Sequence, residues 1–373
     1  MIRKILVILG TRPEAVKLSP LIIELKKREI FETKVLVTGQ HRDMVDPILE
    51  AFDIVPDMDL NIFKSGQSIT EITNKSLVGI EEAIKEYRPD LLIVQGDTTA
   101  VFAGALAGFY NKVKVAHVEA GLRSGDMYSP YPEEANRMMT GVLSEIHFAP
   151  TEESRQNLLK ENVDDKKIYV TGNTGIDALM LSKKDEFIFE DDRINKIDHK
   201  NKRVIVLTAH RRENIGKYME NIFEAIKDIS KKYDDVIIIY PMHKNPKVRE
   251  IAEKILGSLN NVILTEPIDY LGFSNLMTKS YLIITDSGGI QEEAPSLGVP
   301  VLVVRRETER PEGIKAGTAK LIGVDKDNVF ASVDEMLSNN KLYEKMANAV
   351  NPYGDGKSAE KISDILEVLS KNE

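Results

Sequence analysis

The chain has 373 residues, with 59 acidic against 50 basic side chains for a formal net charge of -9, and it contains no cysteine. That length suits two domains, each able to bury a full core. An acidic balance without a Lys/Arg block argues against nucleic acid as a partner, and the missing thiols exclude disulfides, thiolate nucleophiles and cysteine-held metals.

The N-terminus places basic residues before an apolar run, but Ile5 to Leu9 is too short for a signal-peptide core and Arg12 and Glu14 follow at once. It reads as a first buried strand, followed by a Gly10 to Glu14 loop and a helix whose apolar residues recur at helical spacing. The pattern then repeats: KVLVTG, helices near Met44 to Phe52 and Ser68 to Tyr87, LLIVQGD, a helix near Thr98 to Tyr110, VKVAHVEAG, a helix after Pro132, EIHFAP and IYVTG. Ser182 to Arg203 is charged and poor in apolar residues, and is read as a linker. The alternation restarts with VIVLTAHR, a helix from Asn214 to Lys231, VIIIYPMH, a helix from Lys247 to Leu256, VILTEP, a helix from Tyr270 to Lys279, YLIITDSGG and VPVLVV. Continuous apolar strands between amphipathic helices predict α/β halves with parallel sheets covered on both faces, and a cleft at the strands' carboxyl ends. No segment approaches the roughly 20 apolar residues that span a bilayer, so a soluble, cytoplasmic protein without membrane contact is expected.

The unusual polar residues fall at those strand ends. Arg12 and Lys17 follow the first strand, where they either bind a diphosphate or lie on a solvated helix face. Asp97 closes LLIVQGD and is either a helix N-cap or a site carboxylate. Glu119 ends a buried strand beside a flexible loop. Glu133 and Arg137 are four apart, so on a helix Arg137 can orient Glu133 and keep it ionised, or the two form a plain surface pair. His210 leaves the first strand of the second half ahead of two arginines, which places it over a phosphate unless it is structural.

Ser287-Gly288-Gly289 forms a tight turn between a buried strand and a helix. Its glycines let the backbone approach a ligand, and unpaired N–H groups of the helix start suit an anion; Glu293 can then accept from sugar hydroxyls. The competing reading makes Ser287 only a helix cap. Arg310, in the charged loop beyond VPVLVV, can close over the same ligand. No histidine pair has metal spacing, the dinucleotide fingerprint is absent, and Gly354 to Ser358 lacks the strand and first glycine of a phosphate-binding loop. Neither a metal nor a cofactor is expected.

Read together, GTRPEAVKLSPLI, TGQHRDM, VQGDTTA, HVEAGLRS, PYPEEANR, TAHRREN, YPMHKNP, TDSGGIQEEAPSLGVPVLVVRRETERPEG and NPYGDGKSAEKI resemble the non-hydrolysing UDP-N-acetylglucosamine 2-epimerases over nearly the whole chain. The resemblance implies the glycosyltransferase-B architecture: two Rossmann-like domains, 1–181 and 182–357, facing a cleft, with a last helix over 358–373 packing back on the first, in a homodimer. It implies reversible inversion at C2 of UDP-GlcNAc to UDP-ManNAc by elimination of UDP to 2-acetamidoglucal and re-addition. By matching motif, Asp97, Glu119, Glu133, Arg137 and His210 carry the chemistry. Arg12, Lys17, Asp97, Glu119, His210, Phe273, Ser287, Gly288, Gly289, Glu293 and Arg310 bind the nucleotide-sugar. Ile268 stands where the family pattern has Gln, which leaves a backbone contact to uracil at that position. A second UDP-GlcNAc, acting as activator, would meet Gln40, His41, Arg211 and His243. The competing functions are a hydrolysing epimerase that releases ManNAc and UDP, a glycosyltransferase, and a non-catalytic UDP-sugar sensor.

Overall fold

The structure, a computed structural model, describes residues 1–39 and 42–371. The chain divides into two compact units, Met1–Leu181 with the segment from Gly354 onward, and Ser182–Tyr353. Each is an α/β unit built on one parallel sheet, the architecture that the apolar periodicity predicts.

The first unit carries β1 Lys4–Leu9, β2 Glu32–Val37, β3 Met58–Asp59, β4 Leu91–Gln95, β5 Lys114–Val118, β6 Ile146–Ala149 and β7 Ile168–Val170. Their order is β3-β2-β1-β4-β5-β6-β7, and every pairing is parallel. KILVIL and LLIVQ are almost wholly buried, because helices cover both faces and leave no polar side for the strand to show. The chain winds outward from β1 in one direction and from β4 in the other. Their following loops therefore part, and a crevice opens at their carboxyl ends.

The second unit repeats this with β8 Arg203–Thr208, β9 Val236–Pro241, β10 Val262–Thr265, β11 Leu282–Thr285, β12 Val301–Val303 and β13 Ala319–Leu321. The order is β10-β9-β8-β11-β12-β13, so the switch point lies between β8 and β11. Ile205, Leu207, Phe223, Ile238, Tyr240 and Ile284 belong to one buried cluster that locks the helix Lys217–Lys232 onto this sheet.

Sequence patterns did not anticipate the two-residue β3, the helices Glu152–Lys160 and Thr174–Ser182, or the elements after Arg310, which are Pro311–Ala316, β13, Lys326–Ser338 and Asn340–Ala347. The last helix, Ser358–Lys371, packs on the first unit. Asp177 Oδ1 accepts the Ala359 N–H at 2.7 Å, Ser370 Oγ donates to the Ile2 carbonyl at 2.6 Å, and Arg28 meets Asp364 at 2.7 Å. Ile362 and Leu366 are fully buried, each contributing roughly 1.5–3 kcal/mol.

The segment read as a linker is instead folded onto the second unit. Phe189 and Ile194 are buried, Asn275 accepts the Lys184 N–H at 2.8 Å and donates to the Ser182 carbonyl at 2.9 Å, and Arg193 donates to the Leu264 carbonyl. A few apolar anchors suffice to dock a stretch whose average composition is polar. With β10 it walls a cavity of about 620 Å³ that includes Phe187, Met242, Pro267 and Ile268.

Candidate active site

In the first unit, the loops after β1, β4 and β5 bring a set of charges together. Glu119, immediately after β5, is held in the left-handed region at φ 65°, a conformation that a non-glycine residue keeps only where its surroundings enforce it. Its carboxylate receives Lys17 on one oxygen and Gln95 on the other. With side-chain exposures of 18% and 8%, Lys17 and Glu119 form a pair largely withdrawn from water.

Asp97 is not the helix cap: Thr98 fills that position, its hydroxyl accepting the Val101 N–H, and the helix runs Thr99–Tyr110. Asp97 pairs with Arg137 instead. Burial raises its pKa from the ordinary aspartate value; Arg137 opposes that shift and the Glu119 charge adds to it. Two carboxylates thus stand near each other with different partners, Glu119 with Lys17 and Asp97 with Arg137.

The expected Glu133–Arg137 pair is not formed. On the helix Glu133–Leu143, Arg137 meets Glu134 at 3.0 Å as well as Asp97. Glu134 is buried and also accepts the Ser124 and Gly125 N–H groups at 3.0 and 3.1 Å, anchoring the loop after β5. Glu133 is half-buried, and its Oε2 has no hydrogen-bond partner among the described residues. Residues three apart are as close as residues four apart on a helix, so spacing alone could not choose the partner.

Three contributors escaped the sequence reading: Gln95, Glu134 and Glu14. Glu14 is buried in the first turn of the helix Arg12–Lys27, and burial raises its pKa to about 7 despite hydrogen bonds from Thr98, Gly10 and Thr11. Each sits in a quoted motif, but nothing local marks it as buried. Arg12 opens that same helix and is exposed. His117 is neutral: burial lowers its pKa to about 3, and its Nε2 lies 2.7 Å from the Gly96 carbonyl, to which it donates. Gly121 has φ 87°, and a Cβ there would stand 2.2 Å from the Ser154 carbonyl oxygen, so the sharp exit from the Glu119 strand needs glycine.

In the second unit the organising group is Asp286, wholly buried after β11. Its Oδ2 accepts the His210 and Arg211 N–H groups, both at 2.8 Å, and the Asn214 side-chain amide at 3.3 Å. His210 Nδ1 lies 3.2 Å from the other oxygen. Asp286 therefore ties the loop after β8 to the loop after β11. The His210 ring stacks on His243 with centroids 5.7 Å apart, and Arg211 reaches the Asp286 carbonyl and Glu309. Gln40 and His41 lie outside the described residues.

The glycine turn differs in detail from a capped helix. Gly288–Glu293 has six residues and runs into a 3₁₀ turn, Ser287 makes no side-chain cap bond, and its N–H donates to Thr285 Oγ1 at 2.9 Å. Arg310 pairs with Glu292, and a Cβ at Gly288 would stand 3.2 Å from Glu309 and 3.7 Å from Arg310. The Arg-rich loop thus lies directly over the turn. Glu293 is half-buried, and Phe273 lies half-buried on the helix Tyr270–Thr278, just beyond Ile268. Among the described residues no group of three or more His, Asp and Glu side chains is arranged to hold a metal ion, and no helix is long and apolar enough to cross a membrane.

These two clusters stand on a chain whose relatives are known. The profile of the family described as UDP-N-acetylglucosamine 2-epimerase matches residues 23–367. The UDP-N-acetylglucosamine 2-epimerase of Bacillus subtilis is 50% identical over 364 residues, 97% of this chain and 94% of that protein. A Staphylococcus aureus protein solved with UDP superposes with a TM-score of 0.89 at 48% identity, over 99% of this chain and 97% of the other. The Neisseria meningitidis UDP-GlcNAc 2-epimerase solved with UDP-GlcNAc gives a TM-score of 0.85 at 47% identity, over 98% and 100%. With the same two-sheet α/β construction and a match along almost its entire length, the chain belongs to the UDP-N-acetylglucosamine 2-epimerase family of isomerases.

Proposed function

We propose that the protein interconverts UDP-GlcNAc and UDP-ManNAc by eliminating UDP to 2-acetamidoglucal and adding it back. The observation that carries this reading is the Glu119 carboxylate, held by Lys17 and Gln95 beside the Asp97–Arg137 pair at the switch point of the first sheet. The C2 proton of the sugar is not acidic, so direct deprotonation is slow. Elimination avoids a free carbanion: a base takes the C2 proton, its bonding pair becomes the C1–C2 double bond, and UDP leaves with the electrons of the C1–O bond. Returning the proton to the opposite face and re-adding UDP inverts C2.

Asp97, Glu119 and Glu133 are the groups for moving protons and holding sugar hydroxyls, with Arg137 supporting Asp97. Lys17 orients Glu119, and Arg12 is a cation for the diphosphate. In the second unit, His210, Arg310 and the Ser287–Gly289 backbone serve the diphosphate, Glu293 the sugar, and Phe273 with the Ile268 backbone the uracil. Fixed donors aimed at the departing diphosphate stabilise the charge that develops there. A second UDP-GlcNAc acts as activator through Arg211 and His243, which stand beside His210.

NMR of UDP-GlcNAc in deuterated water tests the reaction. Deuterium at C2 of both UDP-sugars is expected, and from UDP-ManNAc alone turnover is expected to wait for added UDP-GlcNAc. Accumulating free ManNAc overturns the reading in favour of hydrolysis, and tight binding without exchange makes the protein a sensor. Immediate hyperbolic turnover of UDP-ManNAc removes the activator.

We infer a homodimer, a reading supported by exposed apolar side chains on the first unit. Phe109, Tyr110, Met139 and Val142 are 40–85% exposed on two helices that pack together, apolar surface that a second copy would cover. Light scattering should give twice the chain mass, and a monomer at micromolar concentration rejects the idea.

A further inference from the structure

A glutamate in the first turn of a helix ordinarily serves that helix alone, by accepting N–H groups at its N-terminus. Glu14 does more. Its Oε2 accepts the Gly10 N–H at 2.6 Å and its Oε1 accepts the Thr11 hydroxyl at 2.8 Å. Thr11 consequently gives its own helix no side-chain cap. The same carboxyl also takes a hydrogen bond from Thr98, the residue that follows Asp97 and caps the helix Thr99–Tyr110. One buried carboxyl, 2% exposed, thereby joins the loop after β1, which leads to Arg12 and Lys17, to the loop after β4, which carries Asp97.

The approach is close and leaves no slack. A Cβ at Gly10 would stand 2.8 Å from both Ala100 and Thr38 and 3.6 Å from Glu14, so the two loops are packed at van der Waals distance around the carboxyl. Thr98 cannot shift without moving Asp97, its covalent neighbour, and Asp97 is already pinned on its far side by Arg137.

We propose that Glu14 is a positioning residue for the reaction, setting the place of Asp97 relative to Lys17 and Glu119 by clamping the two loops together. The inference rests on the functional reading above. The charged surroundings are simple. Asp97 is the ionisable group of the β4 loop that acts on Glu14. The helix Thr99–Tyr110 carries no charged residue, β1 ends in Ile8 and Leu9, and Thr38 after β2 is uncharged. Its own helix adds Arg12, which is exposed, and the half-buried Lys17, which Glu119 engages. An ionised Glu14 consequently disfavours ionisation of Asp97.

Glu14→Gln keeps the shape and removes the charge. Expected are a kcat lowered at least about tenfold, a KM for UDP-GlcNAc within about twofold, and an acid limb of the kcat–pH profile moved to lower pH. A role confined to helix capping would lower the folded fraction but leave that limb in place. Thr11→Val removes one arm of the clamp without removing a helix cap, and should lower kcat about threefold to tenfold at unchanged KM, with Thr11→Ser restoring it. Glu14→Gln with the wild-type kcat and acid limb overturns the inference; should that variant not fold, Thr11→Val with wild-type kcat overturns it. Wild-type protein run alongside separates the two levels: C2 exchange in the wild type with unaltered variants rejects the positioning role alone, whereas no exchange in the wild type rejects the functional reading and this role with it.

Discussion

Asp97→Asn and Glu119→Gln should each lower epimerisation by about 10²–10⁴-fold, the range that general acid–base groups contribute, while UDP binding stays within about tenfold, roughly 1.4 kcal/mol. Neither amide can accept and return a proton. Both residues belong to the first unit, whereas all the proposed diphosphate groups except Arg12, namely His210, Ser287, Gly288, Gly289 and Arg310, belong to the second, so chemistry and nucleotide affinity should largely separate. Single-turnover epimerisation and calorimetric UDP titration measure the two quantities. Loss of UDP affinity as large as that of Arg310→Ala would refute this division of labour.

The two variants should also differ in stability. Glu119→Gln leaves the Lys17 ammonium with its partner's charge removed in a mostly buried place, which costs stability. Asp97→Asn removes a carboxyl whose folded-state pKa is raised by burial, against the pull of Arg137. The sign follows from linkage: a carboxyl that binds its proton more tightly when folded contributes most below its unfolded pKa, and that contribution is lost as pH rises through the folded value. Asp97→Asn should lack that fall.

The second large effect concerns Asp286. Asp286→Ala should destabilise the second unit by about 3–5 kcal/mol, the cost of stranding buried partners of a charged group. It strands the His210 and Arg211 N–H groups and the Asn214 amide, all of which meet a carboxylate with no exposure to water. UDP affinity should fall as well, because the same carboxylate places the His210 and Arg211 backbone. Asp286→Asn, which keeps one acceptor oxygen, should cost less. Urea denaturation followed by a probe in the second unit reads the stability; a loss below about 1 kcal/mol in the alanine variant would mean that the loop after β8 is held by something else.

Much of the architecture is legible in the chain itself. Runs such as KILVIL and VIIIYP announce strands buried on both faces, and the helix read near Ser68 to Tyr87 does start at Ser68, where the structure shows a reciprocal capping box with Glu71. The candidate site is legible as positions at strand ends, but not as contacts. For Asp97 the sequence leaves a helix cap and a site carboxylate open, and Thr98 takes the capping duty; for Ser287 it leaves a ligand turn and a helix cap open, and no capping bond is made. The 182–203 segment reads as a linker, but a handful of apolar residues dock it.

Periodicity and turn chemistry act over a few residues, and so strands, helices and glycine turns are written locally in this sequence. Ion pairing is not. Arg137 lies four residues from Glu133 yet pairs with the neighbouring Glu134 and with Asp97, forty positions away, and Lys17 reaches Glu119 across 102 positions. Those partners meet because β1, β4 and β5 are neighbours in the sheet. Strand order, which only the folded chain establishes, decides which carboxylate faces which cation and that some, Glu14 among them, are shut away from water.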